Sequence, residues 1–377
     1  MRTLHKIVIL FFLIAVQSYS QNSVEFDGQL SVFGNFSPNN DLDVQIGARY
    51  IPELEYNFQL DSTSNLDFQA SLNLDVNTAF SPFYKSKEDG NLDPYRVWAR
   101  YSTQQFEIRA GLQKIDFGSA TMLRPLQWFN QIDPRDPLAL TNGVYGLLSR
   151  YYFANNANVW VWVLYRNERT RGFDALKTYD KKPEYGGRVQ FPVPKGELGL
   201  SYHHRTTDPS ELLGTMFHKQ IAENKFGIDG KWDVEIGLWF EATYSHKSED
   251  IGILTNQTLL NFGVDYTLNI GNGLGIVVEH LVTSYDAKAF KFENNTNITA
   301  VNATYPLAMY DNLSTVIYHD WASNKASLFV TYEHQFKRLT GYVMAYYNPE
   351  TQQGFQENEL VNSNTGPGIR FMLVYNH

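Results

Sequence analysis

The strongest constraint on this chain is a period of two. From residue 43 to residue 60, Val44, Ile46, Ala48, Tyr50, Leu54, Tyr56 and Phe58 alternate with Gln45, Arg49, Glu53, Glu55 and Asn57. Leu66, Phe68, Ala70, Leu72, Leu74 and Val76 then alternate with Asp67, Gln69, Ser71, Asn73, Asp75 and Asn77. A strand places successive side chains on opposite faces, so each segment carries one apolar and one polar face. No such segment shows the 3.6-residue period of a helix. A face this rich in carboxylates and amides cannot form a packed core, because burying it dry costs too much. It needs water on one side and an apolar medium on the other, as in a transmembrane barrel whose strands are apolar-out and polar-in.

The N-terminus sets the compartment. Arg2 and Lys6 precede the apolar run Ile7 to Val16, and Ser18 and Ser20 give a small-x-small cleavage site. This order is that of a secretory signal peptide over residues 1–20, and the run is too short to span a bilayer. The barrel is assigned to residues 21–377. The chain has no cysteine, which excludes disulfides, thiolate metal sites and thiol nucleophiles. Its formal charge is −9; without Arg2 and Lys6 it is −11, 29 basic against 40 acidic residues. That balance argues against nucleic acid as a partner. The 24 Tyr, 25 Phe and 7 Trp suit the aromatic girdles of a barrel.

The connections fall into two classes. Short turns are expected at DSTSN (61–65), STQQ (102–105), NNAN (155–158), VPKG (193–196), GKWD (230–233) and NIGNG (269–273). They alternate with longer links at 81–95, 118–143, 168–184, 206–224, 286–299 and 349–365. Short turns on one side and long loops on the other are the habit of outer-membrane barrels. Keeping that parity requires a strand pair at Ala300–Met309 and Leu313–Asp320. The total is then eighteen antiparallel, up-and-down strands, or sixteen without this Pro306-containing pair. The last segment, GIRFMLVYNH, points Ile369, Phe371, Leu373 and Tyr375 outward. It resembles the closing strand that the barrel-assembly machinery recognises.

Alternation assigns Arg49, Arg96, Arg100, Arg109, Arg150, Arg166, Arg188, Arg205 and Arg370 to the lumen. Glu53, Glu55, Glu107, Asp229, Glu241, Asp265, Glu279 and Glu333 share it. Guanidinium groups facing carboxylates set a transverse field and bind anionic or hydroxyl-rich solutes through several donors; the same charges can also simply pair and stiffen the wall. The 118–143 link carries Met122, Leu123, Leu126, Trp128, Phe129 and Leu138, apolar content out of place in open water. Folded inward, it narrows the pore and brings Arg124, Trp128, Asp133, Arg135 and Asp136 to a constriction. As an external lid it would pack on neighbouring loops. Trp160, Trp162 and Leu164 share parity with Arg166 and either plug the lumen or turn out at a bulge.

The run GLQKIDFG at 111–118, followed by LRPLQWFN at 123–130 and DPRDP at 133–137, resembles the strand-plus-loop feature of Gram-negative porins of the alginate-export type. The resemblance is local. It implies an 18-stranded, monomeric outer-membrane barrel with an arginine-rich lumen, and it fits Arg96, Arg100 and Arg109 facing the pore.

The sequence therefore reads as an all-β transmembrane barrel of the bacterial outer membrane. Its expected role is passive diffusion of small hydrophilic solutes, anionic or sugar-like, with outer-membrane lipid as surroundings and a monomer or trimer as assembly. Two alternatives stand beside it: a closed structural or secretion-accessory barrel, and an outer-membrane lipid hydrolase using Ser201 and His203, which share one face of Leu198–Arg205. No enzymatic role and no cofactor are expected. The nine histidines lack metal-ligand spacing, and the acidic loops lack a calcium-binding pattern.

Overall fold

The computed structural model describes residues 23–38, 40, 42–81, 85–210, 220–349 and 365–377. The expected signal peptide and nearly all of the 349–365 link lie outside these residues. The first half of the chain contributes β1 (Ser23–Phe36), β2 (Val44–Gln59), β3 (Ser64–Ser81), β4 (Lys85–Thr103), β5 (Phe106–Gln113), β6 (Val144–Tyr152), β7 (Asn158–Leu164), β8 (Lys177–Thr178) and β9 (Glu184–Val193). The second half contributes β10 (Gly196–Asp208), β11 (Ile221–Asp233), β12 (Gly237–Lys247), β13 (Asn256–Leu268), β14 (Leu274–Asp286), β15 (Asn295–Ala308), β16 (Asp311–Asp320), β17 (Lys325–Gln335), β18 (Leu339–Asn348) and β19 (Gly366–Asn376). Each barrel strand pairs antiparallel with its neighbours, β7 pairs directly with β9, and β1 closes on β19 from Gln29↔Asn376 to Phe36↔Ile369. Eighteen strands thus form one closed sheet, and the two-residue β8 is a side pairing on β10.

Closure leaves no sheet edge for the bilayer to leave unsatisfied. The outer face is apolar: Leu30, Val32, Phe68, Val161, Leu200, Phe226, Phe262 and Phe371 are all exposed. On β19, Ile369, Phe371 and Leu373 point out while Arg370, Met372 and Val374 are buried inside, as the alternation requires. The terminal His377 ring stacks on Tyr50 at 6.0 Å, placing a ring at the chain end.

The Pro306-containing pair exists as β15 and β16, joined at Met309–Tyr310, which decides for eighteen strands. Two expected links are corrected. GKWD lies within β11, and the turn comes at 234–236, where Glu235 takes φ 78°. Most of the 81–95 link is strand: Lys85 to Asp93 pair with β3. This stretch reads as a loop because β5 begins its pairing only at Val97↔Leu112, leaving the upper part of β4 with a free edge among the described residues. Free edges are protected by charges, Gly and Pro, which is the composition of KSKEDGNLDP. Two of its amides are bonded by neighbouring side chains, Gly90 N–H by Asp89 and Leu92 N–H by Asn91.

Candidate functional site

The connection between β5 and β6, residues 114–143, folds into the barrel and runs along its inner wall. Near its root, Ile115, Phe117, Trp128 and Phe129 pack on Leu148, Trp162 and Leu164. Trp162 and Leu164 are fully buried, so they point inward and serve as a dock for the loop; Trp160 packs against the same cluster. Met122 and Leu123 then reach the opposite side and join Leu259, Leu281, Ile298, Ala300, Val316 and Phe329. Leu138 packs on Phe33, Met344 and Met372. Thr141 closes the circuit at Arg96.

Two wall carboxylates clasp the loop at its far point. Glu279 on β14 accepts the N–H groups of Thr121 (2.7 Å), Met122 (3.1 Å) and Leu123 (2.5 Å), the Thr121 hydroxyl (3.0 Å) and the Trp239 indole (3.1 Å). Glu241 on β12 accepts those of Ala120 (2.7 Å) and Leu126 (3.0 Å). Gly118, at φ 105°, lies so close to Glu241 that a Cβ would strike the carboxylate. Alternation places both acids in the lumen, but only the folded loop gives them backbone donors.

In the second connection, 165–183, the middle part from Arg171 to Thr178 also packs inside the barrel. Gly172 accepts from Gln131, Phe173 packs beside Met122, and Arg171 lies over the Phe129 ring at 5.5 Å and pairs with Glu184. Asp174 meets Arg205 and Lys225, and Glu223 meets Arg205 and Lys247, all buried. Paired charges out of water hold only with such mutual compensation. No periodic signal marks this segment, because its side chains matter through partners on strands far away in sequence.

The expected lumen residues divide into two groups. Arg188 (side chain 2% exposed) is held by Asp229 at 2.6 and 2.9 Å and by Ser201, and Arg205 (0%) sits in the buried network. These two belong to the loop–wall contact and do not line a water path. Arg96 is buried too, bonded to the Thr141 hydroxyl at 2.7 Å. Arg166 leaves the set: it follows the end of β7 at φ 61°, where strand parity no longer applies, and it is exposed over Tyr165. Arg370 is buried above the Phe33 ring.

The second group lies on β2 to β6 and is partly exposed. Arg100 (side chain 31% exposed) pairs with Asp67 at 2.8 Å, and Arg109 and Arg150 meet Glu107 at 3.1 and 3.7 Å. Arg109 stacks on Trp98 at 4.6 Å, Arg100 lies over the same ring at 5.4 Å, and Arg150 covers Trp160 at 3.9 Å. A guanidinium on an indole face keeps its in-plane donors available for oxygen. Glu53 and Glu55 on β2, and Arg49, are also half-buried. Arginines on β4–β6 thus lie beside carboxylates on β2 along one stretch of wall, with Asp67 on β3 between them.

In the inward loop, Arg124 is buried with Asp116 at 2.6 Å, and Trp128 lies in the apolar dock. Asp133 and Arg135 form a two-pronged pair (2.8 and 2.7 Å) with Arg135 over Phe329 at 5.0 Å. Asp136 accepts the Leu138 N–H at 3.0 Å, and burial raises its carboxyl above the usual range. The Asp133–Arg135 pair is buried in turn, and of the five expected constriction residues Asp136 alone keeps a polar, partly exposed side chain without an ion pair.

Ser201 and His203 are each committed elsewhere. Ser201 accepts from Arg188, while His203 accepts the Trp162 indole N–H at Nδ1 (3.2 Å) and donates to Glu184 from Nε2 (3.1 Å). Among the described residues no group of histidines and carboxylates could hold a metal ion.

No protein-family model and no curated protein matches this sequence. Several solved structures share its fold. Pseudomonas aeruginosa OccK5 (OpdH) matches with a TM-score of 0.56 at 11% identity, covering 94% of this chain and 98% of that one. Acinetobacter baumannii OccAB4 matches at 0.52 and 12% identity, over 95% and 98%. Salmonella typhi OmpF, solved in complex with daunomycin, matches at 0.50 and 9%, over 94% and 98%. These are Gram-negative outer-membrane porins. At such identities the likeness is one of fold: the chain has the porin-type barrel, while the alginate-export resemblance names a narrower group than the likeness in fold carries.

Proposed function

We propose that this chain is an outer-membrane, porin-like channel for passive diffusion of small hydrophilic solutes, anionic or sugar-like in character. The observation that carries it is the uneven lumen. The wall from β9 to β15 is sealed by the two inward segments, whereas Arg49, Glu53, Glu55, Arg100, Glu107, Arg109 and Arg150 keep partial exposure on the other side, with the Glu107 side chain at 13% and that of Arg100 at 31%. That side joins stacked guanidinium groups to neighbouring carboxylates, a donor-rich strip for a solute bearing carboxylate or hydroxyl oxygens. The fold shared with porins supports the same reading.

One observation favours a second reading. The inward segments fill much of the barrel with apolar side chains, as in a closed structural barrel. Single-channel recording of the refolded protein in a planar bilayer under a salt gradient separates the two. Discrete steps, enlarged by removing residues 121–138, support the channel with an inward constriction. A folded barrel without steps, before and after the deletion, supports the closed one.

A further inference from the structure

The outer wall carries a polar row at the end of the barrel where the long links lie, which is the external end. Its residues pair directly across four strands: His204 on β10, Asn224 on β11, His246 on β12 and Asn256 on β13. The two amides act alike. The Asn224 Oδ1 accepts the Tyr202 hydroxyl at 2.8 Å and His204 Nδ1 at 2.9 Å. The Asn256 Oδ1 accepts the Tyr244 hydroxyl at 2.7 Å and His246 Nδ1 at 2.9 Å. A carbonyl oxygen only accepts, so each neutral imidazole keeps its proton on Nδ1 and presents Nε2 as an acceptor. Neither Nε2 has a partner among the described residues. Below the row the wall is hydrocarbon, with Leu200, Phe226 and Phe262 exposed.

The link between β14 and β15, residues 287–294, folds down beside this row. The Asn256 amide donates to the carbonyls of Asp286 and Ala287 at 3.2 and 3.0 Å. The Asp286 carboxylate accepts the N–H groups of Phe292, Glu293 and Asn294. Phe290 and Phe292 take φ 58° and 56°, the left-handed region that bulky side chains avoid. Strain of this kind persists only where the surroundings hold it. Here it lays Phe290 on the Tyr244 ring at 4.6 Å while leaving it 62% exposed. The same turn carries Lys288 and Lys291, both exposed and without an ion pair among the described residues, against a single carboxylate of the link, Glu293.

Cations beside fixed acceptors, with hydrocarbon below, follow the order of a lipid at the membrane rim. We infer that this sector binds the headgroup of an outer-leaflet lipid built on phosphorylated sugars. Its phosphate lies on Lys288 and Lys291, its sugar hydroxyls donate to Nε2 of His204 and His246, and its acyl chains lie on Leu200, Phe226 and Phe262. Two strand spacings separate the imidazoles, about 10 Å. That span is too long for one ethanolamine head and suits two linked sugar rings. An ammonium-bearing head also meets the two lysines, which repel it. The site lies on the outside of the wall, so it is independent of conduction through the lumen.

The test uses the full mature protein in detergent, with native mass spectrometry reading which lipid stays bound. The probes, at equal concentration, are a bis-phosphorylated diglucosamine lipid, phosphatidylglycerol and phosphatidylethanolamine. The sugar lipid should be retained about tenfold over either phospholipid, the worth of one or two further hydrogen bonds. Lys288→Gln with Lys291→Gln should lower its retention about tenfold, the worth of one bond to a charged group. His204→Phe with His246→Phe should lower it while leaving phosphatidylglycerol unchanged. An unshifted heat-modifiable band shows that each variant is folded; if the histidine pair fails to fold, the lysine pair on its exposed link decides alone. Phosphatidylglycerol retained as well as the sugar lipid reduces the site to plain charge and overturns the inference. Equal retention of all three lipids, or no response to the lysine pair, overturns it too. So does a dimer of the chain that excludes lipid and is broken by Phe290→Ser, which gives the face to a second copy.

Discussion

Glu279, on β14, accepts the backbone N–H of Thr121 at 2.7 Å and so ties the middle of the inward loop to the wall opposite its roots. With Glu241 holding Ala120 and Leu126, two side chains fix the course of a thirty-residue connection. The backbone of a loop inside a barrel has no sheet to bond to, and these carboxylates take that place.

Removing the clasp should therefore free the loop. Glu279→Ala leaves three backbone N–H groups without an acceptor and should destabilise the barrel by about 3 kcal/mol, at roughly 1 kcal/mol for each orphaned donor. Gly118→Ala should act in the same direction, because its Cβ displaces the Glu241 carboxylate. The measurements are the temperature at which the barrel loses its heat-modifiable band and the single-channel conductance. Lower stability with larger or noisier conductance is expected, and unchanged values for both variants would remove the clasp from the account.

The stacked arginines should set ion preference. Arg100→Ala with Arg109→Ala removes two cations from the partly exposed wall and leaves Asp67 and Glu107 less compensated. Reversal potentials in a salt gradient should move toward cation preference. A variant whose reversal potential matches the unmodified channel would show that these arginines only stiffen the wall.

Acid should change selectivity through Asp136. Burial raises the Asp136 carboxyl, so it takes up its proton at a higher pH than exposed carboxylates do. Its charged form costs stability, and that cost is relieved as pH falls through the raised folded value toward the unfolded one. Lowering pH through that window should strengthen anion preference, since a negative charge is lost beside Arg49 and Arg370. Asp136→Asn should show the acid-type selectivity already at neutral pH and lose this early step.

The β2–β3 turn responds in the opposite sense. The Ser64 hydroxyl, with the N–H and hydroxyl of Thr63, holds the Asp61 carboxyl down at about 2. A lowered folded value contributes stability above the ordinary carboxylate range, lost as pH falls toward 2. Asp61→Asn should therefore cost stability at neutral pH and nothing near pH 2, checked by thermal unfolding at both.

The sequence alone determined the barrel. Alternation such as Val44 to Phe58 specifies which face meets lipid, and parity between short turns and long links predicts eighteen strands, including the β15–β16 pair. Both signals are local, because a strand's two faces are decided residue by residue. Residues 85–93 read as a loop for a local reason as well, since an unpaired edge selects the charges and glycine of a loop. What only the tertiary structure decided is where each inward side chain finds its partner. Arg100 and Arg188 share the same parity, yet one is partly exposed beside Asp67 while the other is sealed against Asp229 by the inward segments. Alternation reports direction and carries no information about depth or about which loop descends to cover a wall. Those depend on contacts such as Thr121 with Glu279, 158 residues apart, whose meeting is fixed only when the sheet closes.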